Sequence, residues 1–292
     1  MKILYIDHYA GSISMGMEFR PFYFAREWIK SGHEVRIIAA DYSHLRARNP
    51  MRQKDFELEI IDEVQFQWVH TNTYVGNGMK RALTMFMFCG KLWLNAKALA
   101  LQYNPDVVIS SSTYPLDTWP ARRIARLAGA RYVHEVHDLW PLTLTELGGM
   151  SKWNPFVVLL QIAENSAYGN ADSVVSLFPN TLDYIRSHGL SDENRYFYIP
   201  NGVNIDDWIS EEQSIPDDLQ TAFDEAHAQK KHVICYFGGH AFSNALDVFI
   251  EAAAITAGEP IEFFLIGNGA EKGRLMKYAE GMRNVHFFDP VP

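Results

Sequence analysis

The stretch Lys2-Ile-Leu-Tyr-Ile-Asp7, joined through a helical run over about Phe19 to Lys30 and the turn Ser31-Gly-His33 to Glu34-Val-Arg-Ile-Ile-Ala-Ala40, decides the fold. Both flanks are short apolar runs that read as buried strands, and strand, helix and strand in that order make a βαβ unit. The alternation continues outward. Pro105 to Ser112 is a strand ending in a hydroxyl-rich turn, Pro120 to Ala128 a short helix, and Tyr132-Val-His-Glu-Val-His-Asp-Leu-Trp-Pro141 a short apolar strand that ends in titratable side chains. Helices over Trp153 to Tyr168 and Thr181 to His188, with strands over Ala171 to Leu177 and Arg195 to Ile199, complete a parallel sheet. In such a sheet ligands collect at the carboxyl ends of strands, so His134, Glu135, His137 and Asp138 stand where chemistry is expected. Side chains alternate along a strand, so Glu135 rather than His134 shares the face of His137. The loop after the first strand sets Gly11 and Gly16 before a helix, where backbone amides meet an anion or simply turn the chain.

At 292 residues, 48% hydrophobic and 21% charged, the chain is an ordinary globular protein of one large or two ordinary domains. Its net charge of −9 argues against a general nucleic-acid binder. Cys89 and Cys235 stand apart in apolar surroundings, which fits a reduced, cytoplasmic protein. The N-terminal apolar run is too short for a signal peptide, and no run approaches the roughly 20 residues of a spanning helix. Ser43 to Gln53, with His44, Arg46, Arg48 and Arg52, reads as an exposed loop. Met79 to Tyr103 is a long helix of Met, Phe, Leu and Trp93 flanked by Lys80, Arg81, Lys91 and Lys97, so it is either a buried core helix or one that partly faces a membrane surface.

Pro200-Asn-Gly-Val-Asn204 has the turn chemistry of a boundary, which places a first domain at 1–203 and a second at 204–292, opening on an acidic linker and surface helix. Strands at His232 to Phe237, Ile261 to Ile266 and Val285 to Phe288, with helices at Ala245 to Ala257 and Leu275 to Gly281, make a second Rossmann-like layer. A doubly wound domain normally has more strands, so the second domain is expected to be incomplete and the chain truncated.

Read together, these motifs resemble those of retaining glycosyltransferases of family four, which have the two-Rossmann-domain GT-B architecture. The resemblance rests on Met1 to Ile6 with Gly32-His-Glu-Val35, His137-Asp138 with Pro141, Pro200-Asn-Gly-Val203, and Leu265-Ile-Gly-Asn-Gly269. Met17-Glu-Phe-Arg-Pro21 and Gly238-Gly-His240 resemble the branch that transfers amino sugars or deoxysugars to lipid-linked or surface polysaccharide precursors. The resemblance implies a nucleotide-diphosphate sugar as donor substrate, no separate cofactor, no metal and no nucleic acid. It implies a donor on the second domain, an acceptor on the first, and transfer in the cleft between them. His137 would then hydrogen-bond the transferred sugar, with Asp138 orienting it or capping the next segment. Gly16, Asn201, Gly238, Gly239, His240, Gly267 and Gly269 would serve the donor, and Glu18, Arg20 and Glu135 the acceptor. Peripheral contact with the inner face of the cell membrane goes with a lipid-linked acceptor. The sequence departs from the family at Gly239 and Asn244, where an Arg and a Lys are common, and at Asn204, while the family's E-x7-E segment would lie beyond Pro292. A sugar-nucleotide- or carbohydrate-binding fragment without catalysis, and a GT-B epimerase using Glu135 and Asp138 as paired carboxylates, are the competing readings.

Overall fold

A computed structural model of the chain describes residues 1–16, 18–74, 76, 78–205 and 215–291. It divides into two compact units, Met1–Asn204 and Ile205–Pro292, against an expected boundary after 203. Met17 and most of the expected acidic linker, residues 206–214, lie outside the described residues.

The first unit runs β1 (Lys2–Ile6), α1 (Arg20–Lys30), β2 (Glu34–Ala40), β3 (Glu57–Ile61), β4 (Val64–Val69), α2 (Met79–Tyr103), β5 (Val107–Ser110), α3 (Thr118–Ala128), β6 (Arg131–Val136), α4 (Leu142–Glu146), α5 (Pro155–Asn170), β7 (Ser173–Ser176), α6 (Leu182–Ser187) and β8 (Tyr196–Tyr198). Its strands form one eight-stranded sheet in the order β3-β4-β2-β1-β5-β6-β7-β8. All pairs are parallel except β3 with β4, whose two-residue turn holds Asp62 and Glu63 at φ 47° and 69°. From β1 the chain winds first toward β4 and then, from β5, the other way. The switch point therefore lies between β1 and β5, the place in such a sheet where a crevice opens beyond the strand ends.

Both faces of this sheet are covered, which is why its strands read as continuous apolar runs. Leu4, Ile6, Ile38, Val108 and Val136 pack under Phe88, Leu92 and Leu99 of α2, while Tyr5, Ile37, Phe66 and Trp68 pack with Phe22 of α1 on the other side. Helix α2 ends where Asn104 turns left-handed at φ 49° ahead of Pro105. It buries one face and leaves Met79, Leu83, Phe86, Trp93, Leu94 and Leu101 exposed, so it is a core helix along one side only.

The basic loop is exposed at His44 and Arg48, as expected, and departs from the sequence reading at Ser43 and Arg46. Ser43 and Arg46 are buried, and the Arg46 guanidinium donates to the carbonyls of Ala40, at 2.8 Å, and Ala10. Carbonyls at the ends of strands need donors when water is excluded, and this side chain supplies them.

The second unit runs α7 (Asp217–Ala228), β9 (His232–Phe237), α8 (Asp247–Ile255), β10 (Ile261–Ile266), α9 (Lys272–Tyr278) and β11 (Val285–Phe288). The three strands are parallel in the order β11-β10-β9. Central β10 alternates between two cores, Leu265 with Ile250 and Leu275 from α8 and α9, and Phe264 and Ile266 with Leu219 from α7. Asp217 and Asp218 in the first turn of α7 complement the positive end of that helix.

Candidate active site

The register of the first sheet brings distant residues onto one face. Tyr5 pairs with Ile109 and Ile109 with Val133, so two residues further along, Ser111 and Glu135 stand on that same side. Glu135 is the hub. Its Oε2 accepts from the Tyr5 hydroxyl, from Ser111 Oγ at 2.6 Å and from His137 Nε2 at 3.1 Å. Its Oε1 accepts from Arg20 Nε at 3.1 Å and Nη2 at 2.8 Å. His137 Nε2 also lies 2.7 Å from Ser111 Oγ.

The charge pattern follows from this crowding. Burial alone would raise Glu135, but hydrogen bonds and charge from His137 and Arg20 hold it well below the ordinary carboxylate range. Burial alone would lower His137. The hydrogen bond and charge of Glu135, aided by Asp7 and Glu18, overcome it and raise the imidazole to about 9. At neutral pH His137 is therefore a cation, with Nε2 turned to Ser111 and Glu135. Nδ1 lies 3.9 Å from the Glu18 carboxylate.

Arg20, expected at an acceptor, is turned inward instead. It is 7% exposed, and besides Glu135 it donates to the carbonyls of Ile199 at 2.8 Å and Pro200 at 3.0 Å and to Asn201 Oδ1 at 2.9 Å. Glu135, also expected at the acceptor, is likewise consumed by protein partners, and Asn201 spends its side-chain oxygen on Arg20. Gly16 adopts φ 79°, but its amide donates to Ile13 O at 3.3 Å inside the loop rather than outward. Asp138 is exposed beside the buried His137. His134 faces the other side of the sheet, hydrogen-bonded to Ser110 Oγ at 3.1 Å, and burial lowers it to about 4.

Sequence reasoning missed the floor of this site. Asp7, His8 and Asp117, at the ends of β1 and just beyond β5, are fully buried. Asp7 Oδ2, His8 Nε2 and Asp117 Oδ1 have no hydrogen-bond partner among the described residues. Burial pushes both carboxyls up to about 7. Buried polar atoms are normally satisfied, so unpaired ones grouped at a switch point mark a place built to receive polar groups. The available signal was Asp7 itself, the first polar residue after an apolar strand.

In the second unit the turns after β9 and β10 lie against each other. Gly238 N donates to Ile266 O at 3.0 Å and His240 N to Asn268 O at 2.9 Å. A Cβ on Gly267 would stand 1.9 Å from Gly238 O, and one on Gly269 2.4 Å from His240 O, so both positions demand glycine. Gly239 is open, with nothing within 4 Å of a built Cβ. The His240 ring is buried, with Tyr236 and Phe287 as aromatic neighbours, and neither of its nitrogens has a hydrogen-bond partner among the described residues. Asn244, in the place of the family's Lys, is drawn onto Gly239 O.

Residues 15–207 match the family described as Glycosyltransferase Family 4. The chain belongs to glycosyltransferase family 4. Among relatives of this family 4 chain is a protein of Escherichia coli (strain K12) named for colanic acid biosynthesis, the glycosyl transferase WcaI, 27% identical over 270 residues. That alignment takes in 90% of this chain and 65% of the relative, so the chain spans less than two thirds of its length. The fold is shared with sucrose-phosphate synthase from Thermosynechococcus elongatus, with a TM-score of 0.69 at 15% identity over 99% of this chain and 70% of that one. It is shared too with Anabaena HepE solved in complex with UDP and glucose, at 0.58 and 13% over 100% and 70%. The family 4 chain thus has the GT-B fold class, two successive Rossmann-like units.

Proposed function

We propose that the chain serves transfer of a sugar from a nucleotide-diphosphate sugar to a lipid-linked or polysaccharide-precursor acceptor, with retention at the anomeric carbon, at the inner face of the cell membrane. The carrying observation is His137 held as an imidazolium by buried Glu135 at the switch-point edge of the first sheet. Departure of a nucleoside diphosphate places negative charge on phosphate oxygen, and a preorganised cation donating through Nδ1 to a substrate oxygen stabilises that charge. A group that stays protonated at pH 7 is no general base there, so the acceptor hydroxyl proton passes to the departing diphosphate oxygen as the new glycosidic bond forms on the same face. The glycine turns at 238–239 and 267–269 let a donor diphosphate approach backbone closely. The UDP bound by the HepE neighbour makes UDP-sugars the first donors to try, and the colanic acid relative supports a saccharide-precursor acceptor. An epimerase would need Glu135 as a free carboxylate, and here four side chains occupy it.

The test is product formation from UDP- and GDP-sugars with lipid-phosphate and saccharide acceptors. His137→Ala should keep its circular dichroism spectrum and lose at least ~100-fold in turnover; near-normal turnover would overturn the assignment. Nucleotide-sugar binding by the unaltered chain with no product under any pairing would instead mark a binding chain without catalysis.

A further inference from the structure

Helices α2 and α3 pack together and frame a cavity of about 670 Å³ lined by Trp93, Trp119, Arg122, Arg123, Arg126 and Leu127. The Arg123 guanidinium lies 4.5 Å from the centre of the Trp93 ring. None of these three arginines forms an ion pair with any described residue. Burial, and after it the charge of Arg126, lower Arg122. Beside the cavity runs the bare side of α2. Met79, Leu83, Phe86, Trp93, Leu94 and Leu101 recur at helical spacing along it, and Met79 and Leu94 are 89% and 83% exposed. The helix has 25 residues, about 37 Å at ~1.5 Å per residue.

A free phosphate would answer the arginines and leave the apolar stripe in water. A purely apolar partner would cover the stripe and strand the charges. A bilayer surface carrying anionic phospholipid answers both, because indole rings settle at headgroup depth, leucines reach the acyl boundary, and guanidiniums pair with lipid phosphates. No described helix is long and apolar enough to cross a membrane, so α2 would lie along it. We propose that the α2–α3 face docks on an anionic phospholipid membrane, with Arg122, Arg123 and Arg126 on the lipid phosphates and Trp93, Leu94 and Leu101 in the interface. This deepens the membrane-side location given above, and its readout, lipid binding rather than turnover, fails or succeeds separately from the transferase reading.

The experiment is co-sedimentation of the full chain with phosphatidylglycerol-containing and with pure phosphatidylcholine vesicles, at low and high salt. Binding should need phosphatidylglycerol and weaken with salt. Replacing the three arginines by Gln should cut the apparent partition coefficient roughly 100-fold, at about fivefold for each basic residue. The corresponding Arg→Lys variant should bind nearly as well as the unaltered chain, which separates charge from misfolding, and Leu94→Glu should weaken binding without touching the arginines. Absence of vesicle binding, equal binding to both vesicle types, or an undiminished Gln variant overturns the proposal. So does competition by millimolar inorganic phosphate that removes all binding at constant ionic strength, since that outcome marks a site for a free anion.

Discussion

At the scale of single residues, the site turns on who owns the proton of His137. Glu135 raises that pKa to about 9 against the burial that would lower it. In Glu135→Gln the largest support is gone and only Asp7 and Glu18 oppose the burial, so the alkaline limb of the pH–activity profile should fall from near 9 toward lower pH. A profile unmoved by the substitution would show that His137 does not act as a cation. Stability carries the same signature. A depressed carboxylate contributes stability that is present above its ordinary value of 4.5 and lost as pH falls, and a raised histidine contributes stability that is full below 6.5 and lost through about 9. The pair therefore stabilises most between pH 4.5 and 6.5, and the gap in urea midpoint between the unaltered chain and Glu135→Gln should narrow above pH 9. His137 and Glu135 were legible because period two along one strand is local. Tyr5 and Ser111 were not, because their nearness depends on pairing β1, β5 and β6 across the sheet. Nor was the inward turn of Arg20, whose partner lies 115 residues away along the chain.

At the scale of elements, α1 is pinned at its first residue. Arg20→Ala leaves Glu135 buried with less counter-charge, and should cost about 3–5 kcal/mol in urea unfolding followed by circular dichroism. Arg20→Met combined with Glu135→Leu should cost less than the single change, because the buried carboxylate is gone and His137, without it, can shed its proton; a larger cost would mean that the pair organises the fold. In the second unit, Gly267→Ala should destabilise by roughly 2–4 kcal/mol through its clash with Gly238 O, whereas Gly239→Ala should stay within about 0.5 kcal/mol. Strand and helix positions were largely readable from apolar period and caps, and α2 was read at its observed limits. The short helix α4 was missed, since five residues carry no detectable period. The loop around Arg46 is exposed at His44 and Arg48 as read, but Arg46 itself was misread, because charge predicts exposure only when no backbone carbonyl claims the cation.

At the scale of the whole molecule, two units with separate cores should unfold separately. Six of the seven tryptophans, Trp28, Trp68, Trp93, Trp119, Trp140 and Trp153, lie in the first unit and Trp208 in the second, so tryptophan emission is weighted toward the first unit and its urea midpoint should differ from that of far-ultraviolet circular dichroism. Gly267→Ala should move the dichroism curve more than the emission curve, and coincident curves would refute independence. The sequence shows βαβ units and hence parallel strands, but not the order in which eight of them lie side by side, because each crossover closes on the sheet equally well over either neighbour until the cores form. That order puts the switch point at β1 and β5, and with it the half-satisfied side chains of Asp7, His8 and Asp117.

The grip of Arg20 on Ile199, Pro200 and Asn201 also sets where the first unit can be cut. An excised piece ending at Tyr198 keeps every strand of its sheet, yet leaves three of the guanidinium's acceptors behind. A piece ending at Asn204 retains them. The natural seam is therefore drawn not by the last strand but by a side chain at the start of the first helix.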